Sequence, residues 1–486
     1  MVGTKQTSLK LNIILNMILQ VINMLAPLIT TPYVSRVLGV NQIGVYSYYF
    51  SLNYYLVMLA GLGTATYGVV EIAKVRDEKS NRTNAFWAIE FITIITSLFC
   101  IAVWLLISVE SKQYSLEMLA MTFYLLAVMF DISWFYLGCE KVQYTVFING
   151  LFKILGIVSI YLFVNSKGDL VKYILILSAT QFLGNASMWI FLTNFVGRFQ
   201  ITRSNIIYHA KGTMLYFIPT IATSVYTVLD KTLIGAITND SSQNGYYEQA
   251  TKIINLIKTV TFSSLNTILG ARMSYLFAKH DVQQINSKKK FALNFLLFMA
   301  YGCCFGVMGI SNNFVPLFFG EEFHDVIYYL ILMSPLLVIM GLSNLIGNLY
   351  YNPSGRRKQS TVLLVIGCLI NIVLNIFFIP AYGGYGAIIA TILAELTITT
   401  MYVFFSNSFI TFHDIFFISF KKLIAASIML FFLARVSGLF SSMIINLIAQ
   451  LVVGIITYIA ILCFLKDDFV IGCINMIKDR IRGKKR

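Results

Sequence analysis

The chain has 486 residues, of which 58% are hydrophobic and 12% charged, with a formal net charge of +15. A soluble domain carries roughly 25% charged residues, so too few polar side chains exist here to cover a water-facing surface, and a soluble globular enzyme is excluded. With lipid as the solvent, the length leaves room for about fourteen helices of about 20 residues joined by short loops, and the long unbroken apolar runs favour helices over a barrel.

Split at charge clusters and at Gly, Pro and Asn, the apolar runs place spans at 11–33, 44–70, 84–108, 116–138, 144–164, 171–196, 213–238, 245–270, 291–315, 326–350, 360–380, 384–408, 423–438 and 443–465. The first follows Lys5 and Lys10; it is long and has no small-residue cleavage site, so it is expected to span rather than to be removed as a signal. Asn12, Asn16, Gln20 and Asn23 line one face of it with amides, and Tyr46, Tyr49 and Asn53 do the same on the second. Such a stripe is expensive against lipid. It serves either interhelical hydrogen bonding or the wall of a cavity that meets a polar ligand. Further along, Asp131 shares a face with Trp134 and Gly138 in span four, and Lys153 lies one turn beyond Asn149 in span five. Asp230 and Lys231 are adjacent in span seven, Glu248 and Lys252 stand at i,i+4 in span eight with Lys258 deeper, and Glu395 sits mid-span in the twelfth. Asn344 and Asn348 face together on span ten, as do Asn371 and Asn375 on span eleven. An ionisable residue inside a membrane is a functional-site hypothesis by default. The plain alternatives are an internal ion pair for Glu248 and Lys252, a snorkelling lysine, and a silent protonated carboxyl for Glu395. Pro27, Pro32, Pro219, Pro335 and Pro380 interrupt or end helices, which suits bending during transport.

Orientation follows from the basic residues. With a cytoplasmic N-terminus, 27 Lys and Arg fall in inner segments and five in or near outer ones, the other four lying within spans. That bias puts both termini in the cytoplasm and accounts for the net charge without nucleic acid. The tail from Lys466 to Arg486 has apolar residues at helical spacing among basic ones, as for a helix in the inner interface. Ser35 to Gly39 followed by Ile43 to Tyr46, and Asp230 to Gly235 followed by Asn244 to Tyr247, echo one another, as two parallel six-helix repeats would. The seven cysteines and four histidines show no ligand or disulfide spacing, and no phosphate-binding loop appears. No cofactor, metal or catalytic residue is expected, and the chain does not bind ATP for its energy.

Several segments resemble the Wzx-type flippases of the polysaccharide transport family, within the multidrug/oligosaccharidyl-lipid/polysaccharide superfamily. They include Pro27 to Gly39, Ile43 to Tyr48, Gly61 to Gly68, Asp131 to Glu140, Leu229 to Gly235, Gly245 to Lys252, Asn371 to Asn375 and Gly383 to Ala387. The likeness runs in order through spans one to twelve. It departs at Leu269 to Ser274, where the family usually has a proline before the Arg-Met-Ser, and spans thirteen and fourteen match in hydropathy alone.

The resemblance implies an all-α polytopic membrane protein of about fourteen helices, with two six-helix lobes forming a V-shaped central cavity plus two C-terminal helices. The corresponding boundaries are 1–212, 213–409 and 410–486. It implies movement of undecaprenyl-diphosphate-linked oligosaccharide to the outer leaflet of a bacterial plasma membrane, coupled to H+ or Na+, beside a polysaccharide polymerase and chain-length machinery. Arg36, Lys153, Lys231, Lys252 and Lys258 supply cations that a diphosphate needs. The amides and tyrosines of spans one and two supply sugar contacts. Asp131, Asp230, Glu248 and Glu395 are the candidates for coupling or ion pairing. A lipid II or teichoic-type precursor flippase and a drug or cation antiporter are the alternative transporters. A polysaccharide polymerase fits poorly, because the outer loops are too short to hold a catalytic site.

Overall fold

The computed structural model describes residues 9–198 and 202–481. Long apolar runs satisfy their backbone in lipid by internal helical hydrogen bonding, and the described chain is helical nearly throughout. It divides into two compact units, Met1–Gly235 and Ala236–Arg486.

The first unit contains α1 (Leu9–Gly61), α2 (Thr64–Val75), α3 (Lys79–Glu110), α4 (Ser115–Met129), α5 (Ser133–Gly138), α6 (Val142–Phe163), α7 (Leu170–Ser187), α8 (Trp189–Leu192) and most of α9 (Arg203–Thr238). Its core gathers Ile72 of α2, Phe86 and Ile89 of α3, and Ile132, Trp134, Phe135 and Tyr136 around the α4–α5 junction. The second unit contains α10 (Ser241–Ala278), α11 (Val282–Phe319), α12 (Val326–Met333), α13 (Leu336–Ile346), α14 (Arg357–Tyr382), α15 (Gly384–Phe404), α16 (Phe412–Val436), α17 (Met443–Phe464) and α18 (Asp468–Ile481). One core cluster joins Leu293 and Leu296 of α11 to Leu345 of α13 and Ile398 and Tyr402 of α15. Another joins Met429 and Leu433 of α16 to Tyr458 of α17 and Val470 of α18.

Eleven described stretches are long and apolar enough to cross a membrane, against fourteen expected from the sequence. The difference has three sources. Spans one and two run together as one stretch, Val21–Val75, because the expected loop at 34–43 stays helical except at Gly39, whose φ of 75° kinks the chain. Spans seven and eight coincide with the long helices α9 and α10.

Other spans are broken or extended. Span four breaks between α4 and α5, around Asp131. Span ten breaks between α12 and α13, and ends in a π turn at Gly347–Tyr351. Span thirteen, expected at 423–438, begins at Phe412. Thr411 and Asp414 form a capping box there, satisfying the first free N–H groups. The start of the tail helix α18 packs on the rest of the second unit. Phe469 packs on Phe291, Phe295 and Phe298 of α11, and Val470 is buried.

Candidate membrane-embedded site

In the first unit, Lys153 of α6 donates to the Asn23 side-chain oxygen of α1 at 2.7 Å, so one predicted cation and one predicted amide come together. The side chains of Asn12, Asn16 and Gln20 lie outside the described residues. Tyr46 and Tyr49 belong to an aromatic cluster. Tyr46 stacks on Phe50 at 5.4 Å and meets Tyr173 edge-on, while Tyr49 lies against Tyr114 at 5.2 Å. Tyr46 and Tyr124 bring their hydroxyls to 3.5 Å. Aromatic faces of this kind suit a sugar ring. Asn53 stands apart from them: it is fully buried, and neither amide atom has a hydrogen-bond partner. Arg36 is exposed, just before the Gly39 kink. Asp131 lies in the break of span four, where its Oδ1 accepts the Ser133 N–H at 2.9 Å. That bond holds the chain in a turn and explains the break. On α9, Asp230 is buried and its neighbour Lys231 half-buried.

In the second unit, Glu248 and Lys252 form the ion pair their spacing suggests, at 3.4 Å. Lys258, less than two turns further along α10, lies within electrostatic reach of Glu395 of α15; these residues are 137 positions apart. Asn375 donates to Asn371 at 3.1 Å, and Asn371 to Thr391 of α15 at 3.4 Å, so the span-eleven amides knit α14 to α15. The span-ten amides extend further. Asn266 of α10 donates to Asn344 at 2.9 Å, Asn348 to Asn344 at 3.2 Å, and Asn352 to Asn348 at 3.1 Å. This ladder runs from α13 through the π turn on a partly exposed face, which is tolerable at membrane depth where it meets water or other protein.

Three arrangements escape the sequence reading. Glu90 of α3 is fully buried with no hydrogen-bond partner on either oxygen. Lys422, counted there among the loop cations, is fully buried in an ion pair with Asp467 at 2.9 Å and also donates to Asn294 at 3.1 Å. His209, expected in a loop, is buried near the start of α9, its Nδ1 2.8 Å from the Tyr67 hydroxyl of α2. At Gly212 an added Cβ would come within 2.4 Å of the Tyr67 ring. The glycine therefore lets α9 close on α2. Burial lowers the affinity of His209 for a proton, partly offset by the nearby Glu71.

The family described as polysaccharide biosynthesis protein matches residues 9–269. A putative O-antigen transporter of Escherichia coli is 23% identical over 412 residues, covering 83% of this chain and 98% of the relative. A probable low-salt glycan biosynthesis flippase of Haloferax volcanii is 25% identical over 188 residues, covering 38% of this chain and 39% of the relative. Among solved structures, the lipid II flippase MurJ in an inward closed conformation superposes with a TM-score of 0.76 at 16% identity, covering 95% of this chain and 99% of the other. An outward-facing multidrug resistance transporter of the MATE family and MOP superfamily superposes at 0.51 and 13% identity, covering 87% and 95%. These two likenesses establish a shared fold.

Proposed function

The chain belongs to the polysaccharide biosynthesis protein family, and from that premise we propose that it is a flippase. Its cargo is an undecaprenyl-diphosphate-linked oligosaccharide, carried from the cytoplasmic to the outer leaflet by alternating access. The observation that carries this reading is the family match, supported by the O-antigen transporter relative aligned along nearly its whole length. Five cationic side chains within or beside the expected spans agree with it. A diphosphate is bound by charge-assisted hydrogen bonds from Lys and Arg, and Lys153, Lys231, Lys252, Lys258 and Arg36 are the groups assigned to that work. Tyr46 and Tyr49 offer ring faces to the saccharide. The acids Asp131, Asp230, Glu248 and Glu395 hold the cations in the unloaded state or carry the coupling ion, H+ or Na+. The membrane is the bacterial plasma membrane, with both termini cytoplasmic, and the delivered repeat unit goes on to a polymerase and chain-length machinery outside.

Deletion in the native host tests this. Cells without the protein should accumulate the lipid-linked repeat unit on the cytoplasmic leaflet and export no polymer, and the wild-type gene should restore export. Polymer export at the normal level in the deletion strain would overturn the reading. A second reading, flipping of lipid II, is favoured by the shared fold with MurJ. It predicts that this chain sustains growth of a strain stripped of its own lipid II flippase, which the first reading does not.

A further inference from the structure

Two sides of α13 and of the π turn after it, Gly347–Tyr351, have different neighbours. Leu345 and Leu349 enter the core cluster together with Leu265 and Leu269 of α10. Asn344, Asn348 and Asn352 lie off that side: the first two are half-buried and the third is exposed. In an α-helix each i,i+4 step drifts about 40° round the axis, because a turn takes about 3.6 residues. Here the Asn352 N–H bonds to the Gly347 carbonyl, five residues back, at 3.0 Å. A turn closed in that way takes more residues to complete a circle, so the step from Asn348 to Asn352 turns back against the drift. The three amides therefore stay in line. Hydrogen bonds follow the same line: Asn352 donates to Asn348 at 3.1 Å and Asn348 to Asn344 at 3.2 Å. Asn266 of α10 joins it by donating to the same Asn344 oxygen at 2.9 Å.

An amide side chain carries one oxygen with two lone pairs and an NH2 group with two donors. The Asn344 oxygen is filled by its two donors. Among the described residues the Asn344 NH2 group has no partner, and the side-chain oxygens of Asn266 and Asn352 accept nothing. Against lipid these spare groups would be costly, so the partly exposed face meets water or a polar ligand. A phosphate is poorly matched, because it seeks cations and all four side chains are neutral. A metal ion is poorly matched too: hard cations take a full shell of oxygens, and the two spare oxygens stand at opposite ends of the ladder. A hydroxyl both donates and accepts. A row of amides with spare donors and acceptors is complementary to a row of hydroxyls, and single π turns in α-helices are frequent at functional sites.

We propose that Asn266, Asn344, Asn348 and Asn352 form a saccharide-binding track in the second unit, which takes a neutral, polyhydroxylated chain. The inference rests on the flippase reading and deepens it. Tyr46 and Tyr49 belong to the first unit, and the ladder gives the second unit its own contact with the sugar of the cargo. In the expected orientation spans eight and ten both reach the cytoplasm at this end, the side on which the cargo is loaded.

Two probes test the track on full-length protein in nanodiscs: undecaprenyl-diphosphate-linked repeat unit extracted from the native host, and bare undecaprenyl diphosphate. Native mass spectrometry gives the dissociation constant of each. The wild type should bind the glycan-bearing lipid about tenfold more tightly than the bare one, as two or three net hydrogen bonds would give. Asn344→Leu and Asn348→Leu should each cut that preference about fivefold and leave the affinity for the bare lipid unchanged. Asn352→Ala, at an exposed position, should cut it as well, and supplies the readout if the other variants fail to fold. Equal binding of the two lipids by the wild type overturns the proposal. So does a preference that every folded variant keeps, or a loss in which both lipids weaken alike, since that marks a structural role. In each of these outcomes the wild type still binds the bare lipid, and the flippase reading stands. A wild type that binds neither lipid overturns both, because the cargo itself is then wrong.

Discussion

Lys252 and Lys258 stand less than two turns apart on α10, and acids come near them by different routes. Glu248 reaches Lys252 along the same helix at 3.4 Å, whereas Glu395 of α15 lies within electrostatic reach of Lys258. The first pair was legible from i,i+4 spacing. The second proximity was not, because hydropathy and periodicity say nothing about which helices become neighbours, and Lys258 and Glu395 each looked solitary in the sequence. Glu90 was overlooked for another reason: a single acid hardly lowers the apolar character of α3, so the span reads as an ordinary one. Under the proposed function, Lys252 and Lys231 are cations that an arriving diphosphate takes up, and an acid left behind takes up a proton instead of remaining a bare charge. Lys252→Ala and Lys231→Ala should therefore each cut polymer export at least tenfold at normal membrane levels, with Arg at either position restoring part of it. The immunoblotted membrane fraction and surface polymer from the same cells measure this. If Glu248→Gln/Lys252→Gln exports normally, the pair on α10 serves structure alone. Glu395→Gln removes titration while keeping shape, and should make export less sensitive to the external pH.

Helices and their ends show how far one misread residue travels. Lys421 and Lys422 look like a loop punctuating the chain, and on that basis span thirteen starts at 423. In the fold, Lys422 is neutralised by Asp467 and bonded to Asn294, so the helix passes through it and begins at Phe412. Asp467 also accepts the Phe469 and Val470 N–H groups at 3.1 and 3.2 Å, so this one ion pair ties α16 to the start of α18. Breaking a buried pair leaves an uncompensated charge and costs about 3–5 kcal/mol, whereas replacing both partners by apolar groups is often neutral. Lys422→Met should shorten the half-life of the detergent-solubilised protein on heating, and Lys422→Met/Asp467→Leu should recover most of it. A second joint, Tyr67 on α2 against His209 on α9, has a pH dependence of known sign. Burial favours the neutral imidazole, so the folded value lies below the unfolded value of about 6.5. The contribution is therefore complete above that pH and is lost as pH falls through the lower folded value. Thermal stability should decline on acidification across that window, and His209→Gln should flatten the decline. An unchanged acid profile in the variant would assign the loss to other groups.

At the scale of the whole molecule, orientation is carried by charge. Helices and their breaks follow from apolar length and from turn residues such as Gly39, but neither says which end of a helix faces the cytoplasm. The basic residues do, because inner segments retain Lys and Arg. The first turns of α3 and α11 and two described loops give exposed positions at which to read the outcome: Ser80 and Gln283 in segments expected inside, Gln113 and Ser441 in segments expected outside. Each should be introduced as a single Cys in a background with all seven native cysteines replaced. A membrane-impermeant maleimide should label positions 113 and 441 in intact cells, and positions 80 and 283 only after the membrane is opened. Because 113 follows span three and 441 follows span thirteen, they report on opposite ends of the chain. Labelling of 113 but not 441 from outside would mean that an odd number of crossings separates them, and would break the fourteen-span order between those points. Labelling of 80 and 283 from outside, with 113 and 441 protected, would invert the molecule, and the excess of positive charge would then lie on the wrong side of the membrane.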